Sequence, residues 1–302
     1  TINFSFVEER WEHELAGNPQ PIRLLNPIAS QMGVMRSSLI GSLLQVLQFN
    51  QARKAARVRV FEVGRVFLRD ASVLTTDTSV AGIDQPLRIA AVASGSAEPL
   101  QWGVRETPVD FFSVKGDVES LLAPLQAEFR PDASHPAMHP GRCASVWLHG
   151  QCIGHVGELH PKWRQAYALA CAAVMFELAL EPVLARRVPA FKPVSKIQSV
   201  QRDIAVLVPD AVTHAALMHA VWAAPCGGLL RDVQLFDVYR PQLRTETMQG
   251  AMQQAAGAAD RSMALRLTLN SDAASLTEEQ IETVVKSILD QLTVSLGARL
   301  RA

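Results

Sequence analysis

The sequence predicts an α+β chain of two domains, the second a ferredoxin-like βαββαβ unit. Three observations predict it. Segments with the two-residue period of strands and the 3.6-residue period of helices alternate along the chain. "EPVLARRVPAFKPVSK" (181–196) then gathers three prolines and four basic residues, which is linker chemistry. Beyond it the segments run strand, helix, strand, strand, helix, with a short last strand. The boundary falls near residue 190, giving domains over 1–190 and 195–302. A chain of 302 residues lets each domain bury a core of its own.

In the first domain "INFSFV" (2–7) alternates like a strand, and the loop "GNPQPIRLLNP" follows. "SSLIGSLLQVLQFNQARKAA" (37–56) sets Leu39, Leu43, Val46 and Leu47 at helical spacing, with Ser37 or Ser38 placed to cap its start. Residues 57–68 and 87–95 read as strands, and 113–126 as a helix interrupted late by Pro124. "CASVWLHGQCIGHVGEL" predicts a hairpin turning at His149–Gly150 or Gly150–Gln151, and "AAVMFELAL" (172–180) another strand.

In the second domain "RDIAVLVP" is a strand, and "THAALMHAVWAA" a helix opened by Thr213. "LLRDVQLFDVYR" and "SMALRLTLNS" are strands joined by a loop of about twenty residues. "LTEEQIETVVKSILDQLTVSLG" is a helix with a Thr277–Gln280 capping box. Ile281, Val284, Val285, Ile288, Leu289 and Leu292 form its apolar stripe, and Gly297 stands at its end. "ARLRA" supplies the last strand.

Composition excludes several classes. Formal net charge is +0, and residues 191–302 hold eleven Lys/Arg against eleven Asp/Glu, so a nucleic-acid partner must be argued from local features rather than from a basic footprint. No apolar run approaches the ~18 residues of a membrane span. The N-terminus has neither an apolar core nor an Arg-rich leader, so a cytoplasmic protein with no membrane partner is expected. Cys143, Cys152, Cys171 and Cys226 form no C-x-x-C pair and are expected free and reduced.

Residues 135–161 hold five of the eight histidines. His135 and His139 have the i, i+4 spacing of helical metal ligands, but Pro136, Pro140 and Gly141 oppose a helix there, and Pro136 stands where H-E-x-x-H needs glutamate. With a His149–Gly150 turn, Cys152 lies opposite Trp147, about 13 Å from Cys143 at ~3.3 Å per residue. Zinc–sulfur bonds are ~2.3 Å long. The expectation is therefore no metal site and no catalytic residue. A free-standing metal- or thiol-dependent enzyme built on 135–161 stays as the alternative, beside a ferredoxin-like regulatory module for a small ligand.

The same stretch, "MHPGRCASVWLHGQCIGHVGELHP", resembles the C-terminal part of the bacterial phenylalanyl-tRNA synthetase beta subunit. His139, Pro140, Gly141, Arg142 and Ala144, then Ile153, Gly154, Gly157, Glu158, Leu159, His160 and Pro161, match the family's pattern. "LLNPIASQMGVMRSSLIGSLLQVLQFNQAR", "VRVFEVGRVF", "DFFSVKGDVESLL", "SKIQSVQRDIAVLV", "LFDVYR" and "GARLRA" resemble further family segments in order. The chain, which opens without methionine, is similar to the last two fifths of such a subunit.

The resemblance implies a class II synthetase-like antiparallel sheet with flanking helices over 1–190, devoid of catalytic residues, and a ferredoxin-fold anticodon-binding domain over 195–302. Class II enzymes grip ATP phosphate with an arginine in an F-R-x-E strand. "VRVFEVG" puts Phe61 directly before Glu62 instead, and "VMFELAL" ends without the second arginine. ATP and magnesium are implied for the holoenzyme only, with no cofactor in this segment. The implied partners are the catalytic alpha subunit, in an α2β2 assembly, and the anticodon region of tRNA(Phe). Asn26, Pro27, Met35, Arg36, Leu39 and Leu43 are expected at the subunit interface, and Arg202, Arg240, Arg244, Arg261 and Arg266 at the tRNA. Pro241 and the Arg261–Ser262 pair depart from the family pattern.

Overall fold

The computed structural model describes residues 1–185, 188, 190–191, 194–240 and 260–301. The chain divides into two compact units, Thr1–Val188 and Pro189–Ala302.

The first unit is built on a six-stranded antiparallel sheet of order β4-β7-β11-β10-β9-β8. Its strands are β4 (Arg57–Arg65), β7 (Leu87–Gly95), β8 (Glu128–Pro131), β9 (Met138–Leu148), β10 (Gln151–Leu159) and β11 (Ala173–Ala179). Short strands form two minor sheets: β1 (Phe6–Val7), β2 (Ile22–Arg23) and β3 (Val34–Met35) in one, β5 (Leu68–Arg69) and β6 (Ile83–Asp84) in the other. Helix α1 (Glu9–Glu14) buries Trp11 and leads to buried Leu15. Helix α2 (Ile40–Ala52) covers one sheet face, while α3 (Phe111–Leu122) and α5 (Leu180–Leu184) cover the other; α4 (Pro161–Ala166) follows the hairpin.

Three sequence expectations shift. Of 2–7 only Phe6–Val7 is strand, because the residues before it run along the edge of β4, where the Thr1 amine donates to the Phe61 carbonyl at 2.7 Å. Helix α3 begins at Phe111, since Asp110 and Ser113 form a capping box. Neither Ser37 nor Ser38 occupies the N-cap of α2, which is Leu39. The Ser37 hydroxyl goes to Glu12, while the Ser38 hydroxyl still accepts from the Ile40 amide at the start of α2, at 3.1 Å.

Three buried carboxylates hold the turn before α2. Glu62 of β4 takes the Arg36 guanidinium at 2.7 Å, both side chains being 3% exposed. Glu12 of α1 accepts from the Ser37 amide at 2.9 Å and from its hydroxyl. Glu177 of β11 accepts from the Leu39 amide at 2.6 Å, the Ser38 hydroxyl at 3.0 Å and Arg88 at 3.0 Å. Glu62 and Glu177 flank Ala90 in one cross-strand row, so the sheet presents two anions to a segment rich in donors. A Cβ on Gly64 would meet the Arg36 guanidinium at 2.3 Å. The spacing of Glu62 and Gly64 is thus a socket for Arg36.

The β9–β10 hairpin turns at His149–Gly150, both with positive φ, as a two-residue loop requires. Gly154 has φ +152, and a Cβ there would meet the Glu177 carbonyl oxygen at 2.0 Å. Gly157 lies against Met138 and Cys143, Glu158 pairs with Arg142 at 2.9 Å, and the His160 ring accepts from the Lys162 amide to cap α4, with Pro161 at its first position. The histidine- and glycine-rich pattern is packing chemistry.

The second unit has sheet order β13-β14-β12-β15, with β12 (Val200–Pro209), β13 (Leu230–Tyr239), β14 (Asp260–Leu269) and β15 (Arg299–Leu300). Helices α6 (His214–Trp222) and α7 (Glu278–Leu296) cover one face, over Ile204, Val206, Val208, Met263, Leu265, Leu267 and Leu269. Thr213 caps α6, the Thr277–Gln280 box caps α7, and Gly297 takes the left-handed conformation at its end. This is the α+β, ferredoxin-like arrangement that the segment order predicts.

Candidate nucleic-acid interface

The other face of the second unit's sheet carries no helix among the described residues. Register places Gln234, Arg266 and Asp203 in one cross-strand row, Asp237, Ala264 and Ala205 in the next, and Tyr239, Ser262 and Leu207 in a third. Two aromatic rings stand out on it, Phe236 at 53% exposure and Tyr239 at 49%. Each meets a guanidinium: Arg266 lies 5.2 Å from the Phe236 centroid and Arg301 5.1 Å from that of Tyr239.

Local structure explains the pairing. Alternation from Leu235, paired with core-facing Leu265, puts Phe236 on the open face beside Arg266, and the bulge between Leu235 and Asp237 resets the alternation so that Tyr239 shares that face. At the chain end the Arg301 amide donates to the Ala205 carbonyl at 2.8 Å, which lays its side chain across β12 and β14 to Ser262 (3.2 Å) and Tyr239. Asp203 accepts both nitrogens of Arg266, at 2.8 and 2.7 Å. The hydrogen bonds from Arg266 lower the Asp203 pKa and raise that of Arg266. The face offers aromatic surfaces for unpaired bases, guanidinium edges for phosphate and a carboxylate that accepts from a base edge.

The five arginines expected at RNA separate. Arg266 is on the open face. Arg202 and Arg261 pair across the sheet with Leu267 and Val208, whose side chains point to the helices. Arg202 donates through Nη2 to both carboxylate oxygens of Glu278 of α7, at 2.7 and 2.9 Å, and Arg261 donates to the Val212 carbonyl with Asp210 4.0 Å away. Arg240 pairs with the same Asp210 at 3.0 Å. Arg244 lies outside the described residues. Phe236, Tyr239 and Arg301 were not singled out in the sequence; the motifs "LFDVYR" and "GARLRA" contain them, but a bulge and a 39-residue separation from Ser262 hide their face.

In the first unit Asn26 and Pro27 are exposed and Met35 is half-buried, with exposed Leu25 (97%) and Ile28 (80%) beside them. Leu39 and Leu43 are 0% and 1% exposed, and Arg36 belongs to the Glu62 pair, so these three face the unit's own core. The apolar surplus of α2 comes from burial under the sheet. On the α3 face of the sheet Phe61, Ala91 and Phe176 form one apolar row.

Residues 135–161 bring His135 and His155 together beside Asp132. No group of three or more His, Cys, Asp or Glu is placed to hold a metal among the described residues. Burial pushes the Cys143 thiol up to about 12, opposite to what a nucleophile needs. His155 contacts Asp132 at 3.1 Å, and its ring lies 4.9 Å from that of His135 at a tilt of 59°; the His135 imidazole is driven down to about 4 by burial and then by His155.

Comparison with known proteins gives two family matches: "Phenylalanyl tRNA synthetase beta chain CLM domain" over residues 1–180 and "Ferredoxin-fold anticodon binding domain" over 195–301. The chain is 48% identical to the phenylalanine–tRNA ligase beta subunit of Ralstonia nicotianae, with 100% of this chain and 37% of that protein aligned. It is 46% identical to that of Cupriavidus pinatubonensis (99% and 36%) and 46% to that of Chromobacterium violaceum (99% and 35%). The chain spans little more than a third of the length of the curated relatives it matches.

Proposed function

The chain belongs to the phenylalanyl-tRNA synthetase beta-chain family, and from that premise we propose that it supports ATP-dependent attachment of phenylalanine to tRNA without catalysing it. The second unit (195–302) binds tRNA(Phe) near the anticodon through its open sheet face. The observation that carries this reading is the pair of guanidinium–aromatic contacts there, Arg266 over Phe236 and Arg301 over Tyr239. Stacking on such rings contributes roughly 1–3 kcal/mol per base. Arg240 extends the surface at its edge beside Asp210, with Arg244 a further tRNA contact in this reading, while Arg202 and Arg261 hold the helices behind it.

The first unit (1–190) packs against the catalytic alpha subunit in an α2β2 assembly in the cytoplasm. Asn26, Pro27 and Met35, with Leu25 and Ile28 exposed around them, form the contact loop. Arg36, Leu39 and Leu43 fix that loop and α2 from beneath. ATP and magnesium belong to the alpha subunit in this reading, since the beta sheet row of Phe61, Ala91 and Phe176 has no charge to hold them.

The test is tRNA binding by the αβ assembly carrying Phe236→Ala and Tyr239→Ala. Affinity should fall about tenfold or more, and discrimination among anticodon variants should shrink. Unchanged affinity and discrimination would make the unit purely structural.

A further inference from the structure

We propose that the first unit carries a second kind of site: a cavity that binds a free α-amino acid with a large apolar side chain. The cavity measures about 380 Å³ and lies between the sheet and α3, toward the lower end of the ~300–1,000 Å³ of small-molecule pockets. Its origin is two alanines in the central strand β7. Ala91 stands between Phe61 and Phe176, and Ala93 between Arg59 and Val174, in successive cross-strand rows. Helix α3 packs mainly over β10 and β11, to one side of the alanines, and its Val114 and Leu121 close the helix side.

The mouth is polar in a particular way. Arg59 of β4 and Asp117 of α3 face each other there in direct contact, 25% and 49% exposed. Arg59 also donates to the Ala97 carbonyl at 3.2 Å, which fixes the guanidinium at the rim. One cation and one anion above an apolar floor match a ligand with a carboxylate and an ammonium on one carbon and a hydrocarbon body. Such a zwitterion replaces the exposed ion pair with two new pairs, so little is lost on opening it. A monoanion would face Asp117, a monocation Arg59, and a polyphosphate an apolar floor that cannot solvate it. This inference does not rest on the tRNA reading.

Calorimetric titration of the 302-residue chain tests it, with L-phenylalanine and L-leucine as probes and 3-phenylpropionate, phenethylamine and toluene as controls. The amino acids should saturate one site and raise the unfolding temperature. Each singly charged analogue should bind about tenfold or more weakly, the loss of one charged hydrogen bond. Asp117→Asn should weaken the amino acids about tenfold, and Ala91→Leu should abolish binding by filling the floor. The analogue series on the unaltered chain needs no variant to fold. Absence of saturation by both amino acids at about 10 mM, or equal binding of toluene or 3-phenylpropionate, would overturn the proposal. The second result would mean an apolar slot for a partner's side chain.

Discussion

At the residue scale the informative groups are buried and charged. Arg36 and Glu62 are each 3% exposed and have no water to replace a lost partner. Glu62→Ala is expected to destabilise the first unit by about 3 kcal/mol, the cost of leaving a buried charge uncompensated. Urea unfolding, with amide exchange read in α2, measures it. Replacing Arg36 and Glu62 together by methionine and leucine should cost much less, because no orphan charge remains. His135 gives a pH signature. Its folded pKa, about 4, lies below the ordinary value of 6.5, so the unfolded chain binds the extra proton between those limits. Its contribution is full above about 6.5, falls as pH drops toward 4 and is then gone. Burial sets most of this window; of the groups that face the ring, His155 and Arg88 lower its pKa further and Asp132 opposes them. His135→Gln should flatten that stretch of the stability–pH curve, measured by thermal unfolding from pH 4 to 7.

At the element scale the β9–β10–β11 pairing depends on backbone proximity. Gly154 pairs with Leu178 in β11, and a Cβ at that glycine would sit 2.0 Å from the Glu177 carbonyl oxygen. Gly154→Ala is therefore expected to destabilise by more than about 2 kcal/mol, and to displace the Glu177 carboxylate that holds Ser38 and Leu39. Gly150→Ala in the exposed turn, where a Cβ meets nothing within 4 Å, should cost only about 1 kcal/mol from its left-handed φ. Comparing the two by thermal unfolding separates collision from conformational strain.

At the scale of the whole molecule, two units combine two apolar faces with different coverings. In the first unit helices pack on both faces of the sheet, and its strands β4 and β11 lack the arginines by which class II enzymes grip ATP phosphate. Phenylalanine-dependent pyrophosphate exchange by this chain alone should therefore be absent, and should appear only when a catalytic alpha subunit is added. Exchange by the purified chain would contradict this. In the second unit one face carries no helix among the described residues, and Asp203 there offsets Arg266. RNA binding there should show a salt slope of only a few counterions, read from affinities at two or more salt concentrations.

The sequence by itself determined what depends on neighbours along the chain. The Thr277–Gln280 box, the Thr213 cap and the Gly297 terminus are local chemistry, and each is where the sequence places it, while the hairpin takes the first of the two turns the sequence allows, His149–Gly150. The ordered motifs fixed the family and the α+β class in the same way, because motif spacing is a property of the chain alone. Side-chain partners across long separations were decided only by the tertiary structure. Arg36 and Glu62 are 26 residues apart, Leu39 and Glu177 138, and Arg301 and Ser262 39. The sequence assigned Leu39 and Leu43 to a partner, and Arg202 and Arg261 to RNA, because an apolar or basic residue reads the same in a core, an internal ion pair or an interface. Strand register and the bulge at Phe236 choose among these, since each sets which face of the sheet a side chain occupies and so what it meets.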